Sequence, residues 1–206
     1  MELDETLLTA RFEEPRLKDK IAFVKGSGPL ALAACRMLCE AGTLVYIADY
    51  KKDRASKVAK ELYAEGLQIK AAHIGMNEID SVTMAVEHIA DEIGTIDFFV
   101  NMAVNGGNAA LVSHAVLSYM RPKKGHIVNI FTIAVSPDDE EPQRGHLALS
   151  HALQAEARKH AVKTTVLTLG SANSGPDAVS AAHALKFILI QPDGTFISEL
   201  ALESPS

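Results

Sequence analysis

The chain has 206 residues, of which 48% are hydrophobic and 22% are charged, and its formal net charge at pH 7 is −6. This length predicts one domain with one sizeable core. The acidic balance and the scattered lysines and arginines disfavour nucleic acid, which binds to a basic face. No apolar run is long enough to span a membrane, and the acidic start differs from a secretion signal, so we expect a cytoplasmic protein.

Residues 1–18 have no clear hydrophobic period and carry five acidic side chains, so we predict an N-terminal extension ahead of a domain at 19–206. Apolar and amphipathic segments then alternate. The predicted strands cover residues 21–24, 44–48, 68–72, 96–100, 126–131, 164–169 and 195–202. The predicted helices cover residues 29–41, 55–65, 79–93, 109–120, 147–160 and 177–190. Strands that are apolar on both faces and alternate with helices predict the α/β class, with a Rossmann-type doubly wound parallel sheet.

The two cysteines, Cys35 and Cys39, lie one turn apart in a predicted helix, so they share a face and cannot link distant elements. We interpret them as buried thiols. The histidines form no metal-binding pattern, and neither does the acidic run at 138–141, which stands between Pro137 and Pro142. We therefore predict no metal site, and a solvated loop for the acidic run.

A glycine-containing segment, residues 26–31 (GSGPLA), follows the first strand and opens the first helix. It fits the G-x-G-x-x-G/A pattern, in which glycines let the backbone approach a pyrophosphate. Asp49 closes the second strand, where an acidic residue meets an adenosine ribose. Gly26, Gly28 and Asp49 are thus candidate NAD-binding residues. Pro29 removes one backbone donor, however, and proline at this position also suits a purely structural helix start.

Three segments, in this order, resemble the short-chain dehydrogenase/reductase family. Residues 17–26 (LKDKIAFVKG) resemble its first strand and the entry to its glycine loop. Residues 94–101 (GTIDFFVN) resemble the strand before its Asn-Asn-Ala-Gly motif, and residues 125–130 (GHIVNI) resemble the strand that leads to its catalytic serine. The similarity spans residues 17–202 and implies the Rossmann fold of that family.

The resemblance also implies that the catalytic residues are replaced. The family carries a tyrosine and a lysine at Tyr-x-x-x-Lys spacing on one helix, where the lysine lowers the tyrosine pKa and holds the nicotinamide ribose. The alignment places His146 at the tyrosine, Ser150 at the lysine and Thr132 at the catalytic serine. Serine offers no charge, so we predict that these degenerate positions are not catalytic. Because histidine can move protons, an oxidoreductase with a rebuilt site around Thr132 and His146 is an alternative.

Other departures concern the lid and the cofactor. The segment at 101–108 is compressed, and the family's substrate-covering loop is missing after Gly175, so we predict shortened lid elements. Against the family's Thr-Gly-x-x-x-Gly-x-Gly loop, this loop is one residue short and has Lys25 at the threonine. Gly75 stands where the family has an adenine-contacting aspartate, and Val104 replaces a glycine. We expect no cofactor, or a weakly bound NAD if there is one.

The surfaces by which this family assembles remain. The resemblance implies pairing through two helices, here residues 108–120 and 146–160, and small apolar residues in the first permit close packing. We hypothesise a non-catalytic subunit that supports a catalytically complete NAD-dependent dehydrogenase, as in a hydroxybenzylsuccinyl-CoA dehydrogenase. The same faces would serve a homo-oligomer. An NAD(P)-binding sensor or regulator without turnover is a further alternative.

Overall fold

A computed structural model describes residues 15–74, 79–103, 109–120, 122, 124–132, 140–170 and 176–204. The strands in this part of the chain are β1 (Ile21–Lys25), β2 (Leu44–Asp49), β3 (Ile69–His73), β4 (Phe98–Ala103), β5 (His126–Thr132), β6 (Lys163–Leu169) and β7 (Glu199–Leu202). The α-helices are α1 (Pro29–Glu40), α2 (Lys52–Ala64), α3 (Ile79–Ile93), α4 (Ala109–Met120), α5 (Glu140–Arg158) and α6 (Ala178–Leu189).

The strands form one seven-stranded sheet in the order β3-β2-β1-β4-β5-β6-β7, and all neighbouring strands are parallel. The predicted doubly wound fold is therefore confirmed. The chain winds outward from β1 to β3 and then crosses to β4, so the strand order reverses between β1 and β4. In open α/β sheets, ligands bind at the carboxyl edge of the strands at such a switch point.

The core lies on both faces of the sheet. Side chains of α1, α2 and α6, including Leu38, Leu62 and Leu185, pack on one face. Side chains of α3, α4 and α5 pack on the other face around Phe23 and Phe99, whose rings stack with centroids 5.4 Å apart. Burial of each such aromatic side chain contributes about 1.5–3 kcal/mol, which explains why the strands are apolar on both faces.

The acidic run departs from its prediction. The prediction of a loop is wrong for residues 140 and 141, because α5 begins at Glu140 and contains Pro142 within its first turn. A proline there breaks no hydrogen bond, since the first backbone N–H groups of a helix have no intrahelical acceptor. Acidic residues at a helix start are also favoured by the helix dipole. Residues 138 and 139 lie outside the described residues.

The last strand is shorter than predicted. β7 begins at Glu199 rather than at residue 195. The Thr195 backbone N–H and hydroxyl both donate to the carbonyl oxygen of Pro192, at 3.1 Å each, and Gly194 has a φ of +84°. A tight turn therefore takes the residues that the apolar pattern assigned to a strand.

The start of the described chain packs on the domain. Pro15–Leu17 forms a 3₁₀ turn, and Leu17 is only 1% exposed. The Thr43 hydroxyl donates to the Leu17 carbonyl at 2.6 Å, and Arg16 donates to Asp193 at 3.0 Å. Residues 1–14 of the predicted extension lie outside the described residues, so its boundary at 18 stays a prediction. Among the described helices, none has the length and apolar character to cross a membrane.

Candidate functional site

Gly26 leads from β1 into the loop at the switch point and lies close against β4. Its backbone N–H donates to the Ala48 carbonyl at 2.8 Å, and its φ is +137°. A Cβ at this position would lie 2.9 Å from Met102 Cβ. Both the backbone angle and the close approach therefore require glycine.

Gly28 opens α1 and faces free space. Its φ is +95°, it precedes Pro29 in the first turn, and no side chain caps the helix start. A Cβ added here would meet no heavy atom within 4 Å. Backbone N–H groups at a helix start favour phosphate, although Pro29 removes one of them. Gly26 and Gly28 thus lie together in the loop that joins β1 to α1, and their role in binding a cofactor stays a prediction.

Asp49 is the third predicted cofactor residue, and it ends β2 beside this loop. It is buried, and its Oδ1 accepts a hydrogen bond from the Lys51 backbone N–H at 2.7 Å. That contact stabilises the turn after β2 and fixes the carboxylate at the carboxyl edge of the sheet. Its negative charge also acts on Lys25 of the neighbouring strand.

Lys25, the last residue of β1, is a site residue that the sequence analysis noted only as a replacement. Its Nζ donates to Asn101 Oδ1 on β4 at 3.3 Å. Burial lowers the pKa of Lys25, and the Asp49 carboxylate partly offsets this effect. The side chain lies on the same sheet face as Phe23, because side chains alternate along a strand. A half-buried cation thus stands at the switch point.

A buried polar network extends from Lys25 across the sheet. Lys25, Asn101 and Asn129 are in register on β1, β4 and β5. Asn101 Nδ2 donates to Asn129 Oδ1 at 3.0 Å and to Ser113 Oγ at 3.3 Å, and the Ser113 hydroxyl donates to Asn129 Oδ1 at 2.8 Å. The signal in the sequence was a polar residue near the carboxyl end of three apolar strands.

Of the three positions that align with the family's catalytic residues, two have described side chains, and these two differ in burial. Thr132 ends β5 and is exposed. Ser150 lies in α5, is 1% exposed, and its hydroxyl has no hydrogen-bond partner among the described atoms. His146 lies one turn earlier in α5, but its side chain is outside the described part, so the rebuilt-site alternative stays a prediction.

The described residues contain no group of three or more histidine, cysteine, aspartate or glutamate side chains that could hold a metal ion. Cys35 and Cys39 are free and buried, as predicted. Burial raises the pKa of both thiols, that of Cys39 to about 12. Gly75, Val104 and Gly175, with most of the predicted lid changes, lie outside the described residues.

Comparison with known proteins finds a family model that matches part of the chain. Residues 20–108, from β1 through β4, match the model of the short chain dehydrogenase family. The match covers less than half of the chain. One relative, 5-keto-D-gluconate 5-reductase of Escherichia coli (strain K12), is 32% identical over 111 residues, which cover 43% of this chain and 44% of that protein. The 7alpha-hydroxysteroid dehydrogenase of Bacteroides fragilis is 29% identical over 87 residues, covering 42% and 34%. The chain thus aligns with less than half of either relative.

Solved structures match over nearly the whole chain. A metagenomic short-chain oxidoreductase in complex with NADP has a TM-score of 0.82 at 21% identity, covering 93% of this chain and 99% of that one. The alcohol dehydrogenase of Thermococcus sibiricus, complexed with 5-hydroxy-NADP, has a TM-score of 0.78 at 19% identity, covering 90% and 96%. These likenesses confirm the predicted fold. Both structures hold a nicotinamide cofactor, so they give no support to the expectation of no cofactor.

Proposed function

We propose that this chain is a non-catalytic short-chain-dehydrogenase-like subunit that supports a catalytically complete NAD-dependent dehydrogenase. The observation that carries the proposal is Ser150. At the position of the family's lysine, α5 presents a buried hydroxyl without a described partner. A neutral hydroxyl cannot lower the pKa of a neighbouring acid as a cation does, nor can it hold a ribose by charge. Under this proposal the assembly catalyses an oxidation or reduction, and this chain alone catalyses none.

The outer sides of α4 and α5 supply a surface for assembly. These helices pack against each other over the same sheet face, so their exposed sides are adjacent. α4 exposes His114 and Ser118, and α5 exposes His151, Ala152 and Ala155. Small side chains let another helix approach closely. A relative with the same two helices is the partner of matching shape, for example in an acyl-CoA-type alcohol dehydrogenase such as a hydroxybenzylsuccinyl-CoA dehydrogenase.

Co-expression with a relative that carries Tyr-x-x-x-Lys tests the proposal. We expect the two chains to co-purify, with NAD-dependent activity in the complex and none in this chain alone. Ala155→Arg should abolish co-purification, because it places a long charged side chain on the α5 surface. Ala64→Arg, at an exposed position on α2, is the matched control and should leave the complex intact. A stable homo-oligomer that ignores the relative contradicts the proposal.

A second candidate function is a dinucleotide-binding regulator without turnover. It is favoured by Gly26 and Gly28, whose positive φ values and positions at the switch point keep the helix start open to a diphosphate. Calorimetry of the isolated chain with NAD and NADP tests it. The absence of both heat and thermal shift at millimolar cofactor excludes this function and leaves the subunit proposal standing.

A further inference from the structure

A groove runs between α1 and α6, on the sheet face opposite α4 and α5. One stripe of α1, from Ala33 to Ala41, and one stripe of α6, from Val179 to Lys186, line it, and its volume is about 470 Å³. Leu17, in the 3₁₀ turn at the start of the described chain, also lines it. The groove is therefore next to the point from which residues 1–14 extend.

Hydrogen bonds show which end of the groove meets Leu17. The Leu17 carbonyl oxygen accepts from the hydroxyl of Thr43, which follows α1, at 2.6 Å. Arg16 donates to the carbonyl oxygen of Gln191, which follows α6, at 3.2 Å. The carboxyl-terminal ends of both helices, with Lys186 in the last turn of α6, thus lie beside the 3₁₀ turn.

The groove offers exposed apolar surface and a positive charge. Val179, at its far end, is 61% exposed although its side chain is apolar. Such surface is stabilised when another apolar group covers it. Arg36 forms ion pairs with Glu65 and Glu40, and Lys186 places a further positive charge at the Leu17 end. An occupant with apolar and acidic side chains would match this surface.

Residues 1–14, which lie outside the described residues, supply both kinds of side chain. They carry five acidic side chains against the single arginine Arg11, and their large apolar side chains are Leu3, Leu7, Leu8 and Phe12. The acidic residues 13 and 14 are the nearest in sequence to the end of the groove where Lys186 lies. The order of charged residues along the chain therefore agrees with the order of charge along the groove.

Reach and tethering favour this segment over a second molecule. The stripe of α1 that lines the groove covers about 12 Å, whereas fourteen residues cover about 21 Å even when they are helical. Because the segment is joined to the domain at Pro15, its effective concentration at the groove is on the order of millimolar. A separate chain at micromolar concentration competes poorly with it.

We infer that residues 1–14 bind in the groove between α1 and α6 of the same chain, with apolar side chains on the Val179 surface and acidic side chains toward Lys186. The inference goes beyond the proposed function. It concerns the sheet face opposite α4 and α5, so the proposed assembly surface stays uncovered, and either idea can fail without the other.

Limited trypsin digestion of the full chain tests the inference, because Arg11 is the one trypsin site within residues 1–14. A synthetic peptide of residues 1–15 gives the rate without a groove. When opening and closing are fast, cleavage follows the fraction of molecules in which the segment is open. We expect cleavage after Arg11 to be at least about tenfold slower in the full chain than in the peptide.

Substitutions in the groove identify the binding surface. Val179→Glu places a charge on the apolar surface and should speed cleavage after Arg11 about tenfold. Met84→Glu is the matched control, at an apolar residue of α3 that is 68% exposed on the other sheet face, and should be cleaved as the wild type is. Lys186→Glu should also speed cleavage, since it repels the acidic side chains, whereas Lys60→Glu on α2 should not.

Each outcome decides the matter. Cleavage after Arg11 at the rate of the peptide overturns the inference. A Val179→Glu variant that is cleaved as slowly as the wild type shows that the segment does not bind in this groove. Protection that rises with protein concentration assigns the groove to a second copy and also overturns the inference. Should Val179→Glu not fold, Val179→Ser removes apolar surface without adding charge and should give a smaller increase in the cleavage rate.

Discussion

His126 provides a test of the fold that needs no ligand. It is the first residue of β5 and is 4% exposed, and its Nε2 lies 2.7 Å from Thr165 Oγ1. Burial, assisted by the positive charge of Lys163, lowers the pKa of His126 from 6.5 to about 3. In the unfolded chain the same group titrates near 6.5. As the pH falls below 6.5, His126 therefore binds a proton in the unfolded state, whereas in the folded state it stays neutral until the pH approaches 3.

The size of the effect follows from the two pKa values. Proton linkage gives a loss in the free energy of unfolding of about 2 kcal/mol at pH 5 and about 3 kcal/mol at pH 4, relative to pH 8. The stability is fully present above pH 6.5 and is lost progressively as the pH falls from 6.5 toward 3. His126→Gln keeps an amide that can bond Thr165, and it removes this titration.

The assay is urea unfolding of the wild type and of His126→Gln at several pH values between 8 and 4.5. Other groups titrate in both proteins, so the difference between the two curves isolates His126. We expect the wild type to lose about 2 kcal/mol more than the variant between pH 8 and pH 5. His183→Gln, at an exposed histidine of α6, is the control and should follow the wild type. Parallel curves for the wild type and His126→Gln would refute the burial argument.

Three further substitutions test the close contacts. Gly26→Ala should lower the melting temperature, with a cost of about 1–3 kcal/mol, because it strains the backbone and meets Met102 Cβ; an unchanged melt would contradict the required approach to β4. Gly125→Ala should be more damaging, since its Cβ would lie 2.8 Å from the Asp97 carbonyl oxygen, which is backbone and cannot turn aside; chemical denaturation measures this. Ser150→Ala removes a buried hydroxyl without a described partner, so urea unfolding should show equal stability or a gain of up to about 1 kcal/mol, and a clear loss would show that the hydroxyl is bonded.

The sheet could be predicted from the sequence because each strand is an apolar run that is followed or preceded by a local stop signal. Gly42 and Gly66 illustrate this, since both follow helices and have φ values of +85° and +84°. The acidic run misled because its composition suits both a loop and a helix start. The tight turn at Thr195 depends on hydrogen bonds to Pro192 that hydrophobicity does not report.

The candidate site was predicted only where it is local in sequence. Gly26 and Gly28 belong to one short pattern, so they could be found without a fold. Lys25, Asn101 and Asn129 come from strands that are distant in sequence, and they meet only because β1, β4 and β5 are neighbours in register. A contact of this kind follows from strand order, which a single sequence does not state.

Ser113 connects two properties that are otherwise separate. It belongs to α4, a helix of the proposed assembly surface, and it hydrogen-bonds to Asn101 and Asn129 in the network that reaches Lys25. A shift of α4 on assembly would therefore move the groups that hydrogen-bond to one another beside the Lys25 amine. Coupling between two binding events is reciprocal. If partner binding changes the affinity for a nucleotide, the nucleotide changes the affinity for the partner by the same factor.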